Sequence, residues 1–256
     1  MGFYYHLGTE IARVGMTLFA RVDREGQENV PRHGPLIIVA NHMGNSDIPL
    51  VTSTVGRYVF FMAKDTLFKG PVRGHVLRGL GAFPLKRDGN DPEALRWAMR
   101  QLDRDRCVGL FPEGGRSLQG TMRKASPGVA YLALKSQAPI LPVAVWGSEK
   151  IRPLWRTLFA FCHMSVRVGQ PFTLPLVEGN VSRAVLDHFT DNIMGRIAIM
   201  LPEQYRGYYS LERMRGEAGA DAGDALANGH ALHDQDGDEC NTIPDSASTS
   251  TPRSGR

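Results

Sequence analysis

LIIVANHMGNSD, residues 36–47, joins a short apolar run to a polar turn. The first five residues are typical of a buried β-strand, because all are apolar and three are β-branched. Folds that combine strands with helices place their chemistry at the carboxyl ends of strands, which is where His42 would lie. The stretch therefore predicts an internal strand with a candidate site at its end.

His42 and Asp47 are five positions apart in this turn. On a regular helix, at ~100° per residue, they would point about 140° apart and would not meet. A turn through Gly44 and Asn45 lets them converge, so that Asp47 accepts the Nδ1–H of His42 and Nε2 can take a proton from a hydroxyl. The alternative is a pair that only fastens the turn, because an isolated HxxxxD pattern often arises by chance.

A second apolar run ends in PEGGRS, residues 112–117. Gly114 and Gly115 would let backbone N–H groups approach an anion, and the fork of Arg116 matches the geometry of phosphate oxygens. Glu113 either positions Arg116 or binds a substrate hydroxyl, and the sequence does not decide between these roles. An ordinary surface turn is the alternative interpretation of this cluster.

Apolar runs alternate with amphipathic stretches along most of the chain. Further strands are predicted at Tyr58–Met62, Val108–Phe111, Ile140–Trp146 and Met164–Val168. Helices are predicted at 91–102, 126–135 and 182–201, and the first two open at Asp-Pro and Ser-Pro pairs, which are favourable helix starts. Pro142 indicates an edge strand or a bend. The alternation favours an α/β fold in which helices flank a mixed central sheet.

We expect three parts along the chain. They are an N-terminal helical segment at 1–30, one folded domain at 31–210 and a disordered acidic tail at 211–256, which has too little apolar surface to offset its ordering entropy. The stretch Tyr4–Val22 mixes apolar residues with two arginines. Two interpretations are equally open for it: a helix lying on a bilayer, or a helix packed on the sheet.

Charge is distributed unevenly along the chain. Residues 211–256 carry nine acidic and four basic side chains, which leaves 26 basic and 17 acidic in 1–210, a net charge of +9. A basic body suits an anionic partner, and the absence of a basic tract interleaved with aromatics argues against nucleic acid. No stretch approaches the ~18–20 apolar residues of a spanning helix, so we expect peripheral contact with a phospholipid surface.

Other functional classes are less favoured by the sequence. A hydrolase would normally use a Ser or Cys nucleophile, but no GxSxG motif is present and Cys107 lies within an apolar run. The three cysteines are widely spaced, which fits a reducing compartment. A metal-dependent enzyme would draw on His42, Asp47 and Glu113, yet nothing in their spacing demands a metal.

Four segments, taken in order, resemble the 1-acylglycerol-3-phosphate acyltransferase family. NHMGNSD (41–47) is similar to the NHx4D first block of that family, and GAFPLKR (81–87) to its second. FPEGGRS (111–117) is similar to the third block and LPVAV (141–145) to the fourth. The likeness spans roughly residues 34–147, and four blocks in the right order are a specific signal where any one would be weak.

The resemblance implies that His42 is a general base and Asp47 its partner. It implies that the acceptor is bound by Arg87, Glu113, Gly114, Gly115, Arg116 and Ser117. The acceptor would be a lysophospholipid, most directly 1-acylglycerol 3-phosphate, with another lysophospholipid or glycerol phosphate as the alternative. The donor would be acyl-CoA or acyl carrier protein, with no further cofactor. Family members work at a membrane, here expected on its cytoplasmic side.

Two residues depart from the pattern of the family. Gly44 stands where many members carry Ser, and Gly115 where many carry Thr. The second block also spaces its glycine from Arg87 by one residue more than usual. None of these changes removes a proposed catalytic group, but they bear on which lysolipid is preferred.

Overall fold

A computed structural model describes residues 3–85, 91–151, 162–177 and 179–213. Arg87 and the predicted tail therefore lie outside the described residues, apart from the first three residues of that tail. Within the described part the strands are β1 (Arg21–Glu25), β2 (Leu36–Ala40), β3 (Val59–Lys64), β4 (Ala82–Leu85), β5 (Cys107–Leu110), β6 (Ile140–Trp146) and β7 (His163–Val168). The helices are α1 (Phe3–Phe19), α2 (Asp47–Val55), α3 (Pro71–Gly79), α4 (Pro92–Leu102), α5 (Gly128–Ser136) and α6 (Arg183–Met200).

The strands form one seven-stranded sheet in the order β1-β7-β6-β2-β5-β3-β4. Neighbouring strands are parallel except for β6 and β7, which pair antiparallel. The predicted α/β class with a mixed sheet is therefore confirmed. The predicted strand at Tyr58–Met62 begins one residue later and extends to Lys64.

Alternate residues of β2 face two separate cores. Ile37 and Val39 join a cluster with α4, α5 and α6, whereas Leu36, Ile38 and Ala40 join a cluster with residues of α1 and α2. All five residues are buried, as expected for a strand that is covered on both faces. The apolar run that opens LIIVANHMGNSD is thus the centre of a three-layered structure.

Pro142 lies in an interior strand, so the expectation of an edge was wrong. β6 is flanked by β2 and β7, and Pro142 is paired with Val39 in the parallel ladder. On the other side its carbonyl accepts the N–H of Gly169 at 2.9 Å, just beyond the last pair of the β6–β7 ladder, Val143 with Val168. Proline has no N–H to return to Gly169, so the regular ladder stops at this pair, and antiparallel bonding resumes only between Ile140 and Phe172.

Helix α1 is packed on the domain by one face and exposes apolar residues on the other. Tyr5 and Met16 are buried, and the Tyr5 hydroxyl accepts the N–H of Val59 at 3.0 Å. The opposite face carries an exposed apolar stripe at helical spacing, made of Leu7, Ile11, Val14 and Leu18. The packed face agrees with the interpretation of a helix packed on the sheet, and contact of the exposed stripe with a bilayer stays a prediction. No helix among the described residues is long and apolar enough to cross a membrane.

Three adjacent parallel strands, β2, β5 and β6, end at one edge of the sheet. The first cluster, the His42 turn at 41–47, follows β2. The second cluster, PEGGRS at 112–117, follows β5, and Gly147-Ser148 follows β6. The topology therefore brings both sequence clusters to the same place and adds a third loop.

Candidate active site

Asp47 is the first residue of α2, and its carboxylate turns back over the loop that follows β2. Its Oδ2 accepts the N–H groups of Met43 and Gly44 at 2.7 and 2.8 Å and lies 2.7 Å from Nδ1 of His42. Its Oδ1 accepts the hydroxyl of Ser148. Asp47 is 0% exposed, so these donors replace the water that an ionised carboxylate would otherwise require. The turn thus brings the two residues into contact, as their spacing predicted.

The His42 ring is held on its face as well as at its edge. It stacks on Phe111 with the centroids 4.3 Å apart, and Phe111 in turn stacks on Phe61 at 5.5 Å. A side chain at Gly109 would run into the Phe61 ring, so the glycine makes room for this aromatic stack. The His42 side chain is 14% exposed. Since Nδ1 is committed to Asp47, Nε2 is the nitrogen that can exchange a proton with a substrate.

The Asn41 side chain fastens the end of β2 to the end of β6. Its Nδ2 donates to the Val145 carbonyl at 2.7 Å, and its Oδ1 accepts the Val145 N–H at 2.8 Å. Asn41 is 0% exposed and therefore acts as an extra backbone pair at the end of the ladder. The position of the neighbouring His42 is thus tied to the sheet edge.

Glu113 is directed at the backbone of the His42 turn. Its Oε1 accepts the His42 N–H at 2.9 Å and its Oε2 accepts the Arg123 N–H at 2.8 Å. Burial raises the pKa of this carboxyl to about 7, against the opposing effect of the two backbone hydrogen bonds, and the Asp47 charge adds to the rise. The sequence suggested contact with Arg116 or with a substrate hydroxyl, whereas these contacts make Glu113 a clamp between two loops.

The remaining residues of the second cluster surround the same turn. The Ser117 N–H donates to the His42 carbonyl at 2.8 Å, so both peptide groups of His42 are held by this cluster. The exposed Arg116 donates to Asn45 Oδ1 at 2.7 Å. Gly114 has a φ of 68°, a conformation that favours glycine. The structure therefore gathers the predicted residues that it describes, and Arg87 lies outside the described residues.

A cavity of about 220 Å³ opens between the two clusters. Met43 and Gly44 line it from the first cluster, Arg116 and Ser117 from the second, and Glu149 from the loop after β6. The volume is sufficient for a small polar headgroup rather than for a whole lipid. The cavity is thus bordered by the two residues that follow His42, by the Arg116 guanidinium and by the Glu149 carboxylate.

Sequence reasoning missed Ser148 and the roles of Phe111 and Asn41. Ser148 follows a strand that was predicted, so a polar residue at the carboxyl end of Ile140–Trp146 was the available signal. What the sequence did not supply was the order of the strands, which makes β6 the neighbour of β2.

Cys107 lies at the start of β5, at the opposite end of the strand from Phe111. Its thiol is buried, and burial raises its pKa to about 11, so it stays protonated near neutrality. That is the opposite of an activated nucleophile. Among the described residues, no group of three or more His, Cys, Asp and Glu side chains could hold a metal ion.

Comparison with known proteins gives consistent matches. The sequence model of the acyltransferase family matches residues 21–146. The chloroplastic 1-acyl-sn-glycerol-3-phosphate acyltransferase BAT2 of Brassica napus is 31% identical over 156 residues, which cover 59% of this chain and 44% of that protein. The 1-acyl-sn-glycerol-3-phosphate acyltransferase of Bacillus subtilis is 27% identical over 170 residues, which cover 65% of this chain and 81% of that protein.

Among solved structures, the fold is similar to the crystal structure of the 1-acyl-sn-glycerophosphate acyltransferase PlsC from Thermotoga maritima. The TM-score is 0.55 and the identity 28%, and the match covers 73% of this chain and 76% of that one. The chain spans less than half the length of the plant relatives, 44% and 43%.

We expect Glu113→Gln to lower the free energy of unfolding by about 1–3 kcal/mol, because the new NH₂ group faces one of two backbone N–H donors. The pKa of Glu113 rises on folding from 4.5 to about 7, so the folded protein holds a proton that the unfolded chain releases. Ionisation of this group therefore costs the wild type stability as pH rises through that window, and the cost is absent in the variant. Urea unfolding at pH 5 to 8 should show the difference between the two proteins shrinking as pH rises.

Glu203 is exposed, so Glu203→Gln serves as the matched control. Its free energy of unfolding should equal that of the wild type at every pH. Parallel pH profiles for wild type and Glu113→Gln would contradict the raised pKa.

Proposed function

Because the chain belongs to the acyltransferase family, we propose that it transfers a fatty acyl group from a thioester to the free hydroxyl of 1-acylglycerol 3-phosphate, which yields phosphatidic acid. The names of the relatives from Brassica napus and Bacillus subtilis support this acceptor. The observation that carries the proposal is the contact between His42 and the buried Asp47 beside a cavity that Arg116 lines. The thioester donor is carried by coenzyme A or by acyl carrier protein.

In the proposed mechanism, the acceptor hydroxyl hydrogen-bonds to Nε2 of His42. The imidazole takes the proton as the hydroxyl oxygen attacks the thioester carbonyl, and Asp47 stabilises the imidazolium that results. The carbon–sulfur bond then breaks, and the departing thiolate receives the proton from the imidazolium. A new ester and a free thiol are formed, and His42 returns to its starting state. Phe111 supports the imidazolium further, because its ring face attracts a stacked cation.

The acceptor phosphate is assigned to Arg116 and the backbone amide of Gly115, with Arg87 contributing from the second block. The N–H groups of Gly114 and Ser117 already donate to the carbonyls of Phe111 and His42, so these two residues shape the loop that presents Arg116. The Arg116 guanidinium is exposed at the cavity, and one of its terminal nitrogens, Nη1, donates to Asn45. Its other N–H groups are suited to two phosphate oxygens. Glu113 takes part indirectly, since it holds the His42 backbone.

The second proposal for this protein is that it acts at the cytoplasmic surface of a membrane. The exposed apolar stripe of α1 supports it, and Val72 and Val76 of α3, a helix in contact with α1, are 76% and 41% exposed. Exposed cations, Lys69 and Arg73, lie beside Val72 in the chain. Apolar residues flanked by cations suit the interface of an anionic bilayer, where the lipid acceptor and product reside.

His42→Ala should lower turnover by at least about 10²–10⁴-fold, the size of general-base catalysis. Acyl transfer from acyl-CoA to 1-acylglycerol 3-phosphate measures the effect. The exposed His33→Ala is the control and should retain wild-type turnover. Normal transfer by folded His42→Ala protein would refute the general-base assignment, and thiol release without an acceptor would indicate hydrolysis instead.

Arg116→Ala should raise the KM for the acceptor about 10–100-fold, in keeping with the loss of a hydrogen bond between charged groups. Phosphate anchoring contributes to the ground state and the transition state alike, so kcat should change less. Arg100 is an exposed arginine of α4, and Arg100→Ala is the control, which should keep the wild-type KM for the acceptor. An unchanged acceptor KM would remove Arg116 from the phosphate site.

Replacing Ile11 and Leu18 of α1 by Ser should weaken binding to vesicles of phosphatidylglycerol at least about tenfold. The reason is that burying an apolar side chain fully in the bilayer would contribute roughly 1.5–3 kcal/mol to the free energy of binding. Sedimentation with vesicles measures the binding. Ile199→Ser changes an exposed apolar residue of α6, 60% exposed, and should bind like the wild type. Equal binding by the α1 variant would place the membrane contact elsewhere.

A further inference from the structure

The two oxygens of the Asp47 carboxylate have different partners. Oδ2 faces the His42 ring and the N–H groups of Met43 and Gly44, all of which belong to the turn after β2. Oδ1 accepts the hydroxyl of Ser148, which lies 101 residues further along the chain. Ser148 and Asp47 are both 0% exposed. The hydroxyl is therefore the contact that fixes the carboxylate from outside its own loop.

Local structure explains why Ser148 reaches this position. The Asn41 side chain pairs with the backbone of Val145 and so fixes the end of β6 beside the end of β2. Gly147 then turns the chain with a φ of 86°, in the left-handed region that favours glycine. The Ser148 backbone comes to rest against Gly44, where a side chain would run into the Ser148 carbonyl.

We infer that Ser148 is a positioning residue for the acyl transfer: its hydroxyl fixes the rotation of the Asp47 carboxylate, and through it the imidazole of His42. This inference rests on the proposed function. A carboxylate can rotate about its Cβ–Cγ bond, and the donors on Oδ2 alone leave Oδ1 without a partner. With the hydroxyl on Oδ1, both oxygens are held, so the Nδ1–H of His42 meets Oδ2 in one geometry.

The glycine at position 44 fits the same inference. A side chain at this position would displace the Ser148 backbone, because its first carbon would run into the Ser148 carbonyl. Because Gly44 has no side chain, the β6 loop can approach the turn closely enough for the Ser148 hydroxyl to reach the Asp47 carboxylate.

The test compares Ser148→Ala with Ser46→Ala. Ser46 is also 0% exposed and adjoins Asp47 in the chain, but its hydroxyl has no hydrogen-bond partner among the described residues. Ser148→Ala should lower kcat about tenfold, the size expected for one hydrogen bond to a charged group, with little change in the acceptor KM. Its pH–rate profile should differ from that of the wild type, because the imidazole and the carboxylate no longer meet in one geometry. Ser46→Ala should match the wild type in all three respects.

Melting curves establish the fraction folded, so a loss of stability is not mistaken for a loss of positioning. Wild-type kcat and a wild-type profile in folded Ser148→Ala would overturn the inference while leaving the His42 result intact. A second readout does not need acyl transfer: in a crystal structure of Ser148→Ala, but not of Ser46→Ala, the Asp47 carboxylate should be rotated and the 2.7 Å contact between Nδ1 of His42 and Oδ2 of Asp47 lengthened. If the wild type transferred no acyl group, the proposed function would fail, and this structure would still decide the role of Ser148. An unchanged contact would count against it.

Discussion

A fully buried carboxylate is the constraint on which the rest of the site depends. An ionised Asp that is removed from water costs several kcal/mol unless its oxygens receive hydrogen bonds. The donors to Asp47 are two backbone N–H groups and an imidazole from the loop after β2, and a hydroxyl from the loop after β6. Because these donors come from two strands, the strand ends have to meet. The orientation of the imidazole therefore depends on the pairing of β2 with β6, which brings their carboxyl ends together.

The loop after β5 supplies the hydrogen-bond partners of the His42 backbone. Glu113 accepts the N–H of His42, and Ser117 donates to the His42 carbonyl, so both backbone polar groups of His42 have protein partners. Three parallel strands thus contribute one loop each to the His42–Asp47 pair. Parallel pairing makes this possible, since it brings the carboxyl ends of sequentially distant strands to a common edge.

The sequence was most informative where pattern and chemistry are local. The run at 36–40 predicted a buried strand, and the turn after it predicted the His–Asp contact, because both depend on neighbouring residues. β1 was not predicted because its sequence, RVDRE, is charged; in the folded sheet its two carboxylates pair with β7, Asp23 with His163 and Glu25 with Arg167, both at 2.6 Å. The expectation of an edge strand at Pro142 failed because the neighbouring residues do not show which strands pair with β6 or how far they pair. Ser148 and the backbone contacts of Glu113 depend on strand order, which composition and spacing do not contain.

The pairing of β1 with β7 has a consequence for the order of events during synthesis. Arg21 is paired with His163, so the first strand has no partner until some 140 residues more have been made. Contacts of such long range are costly in loop closure and slow to form. At typical rates of about 5–20 residues per second, α1 and its apolar stripe leave the ribosome roughly 7–30 seconds before the sheet can close. The exposed stripe of α1 is thus synthesised well before the strand that follows it can join the sheet.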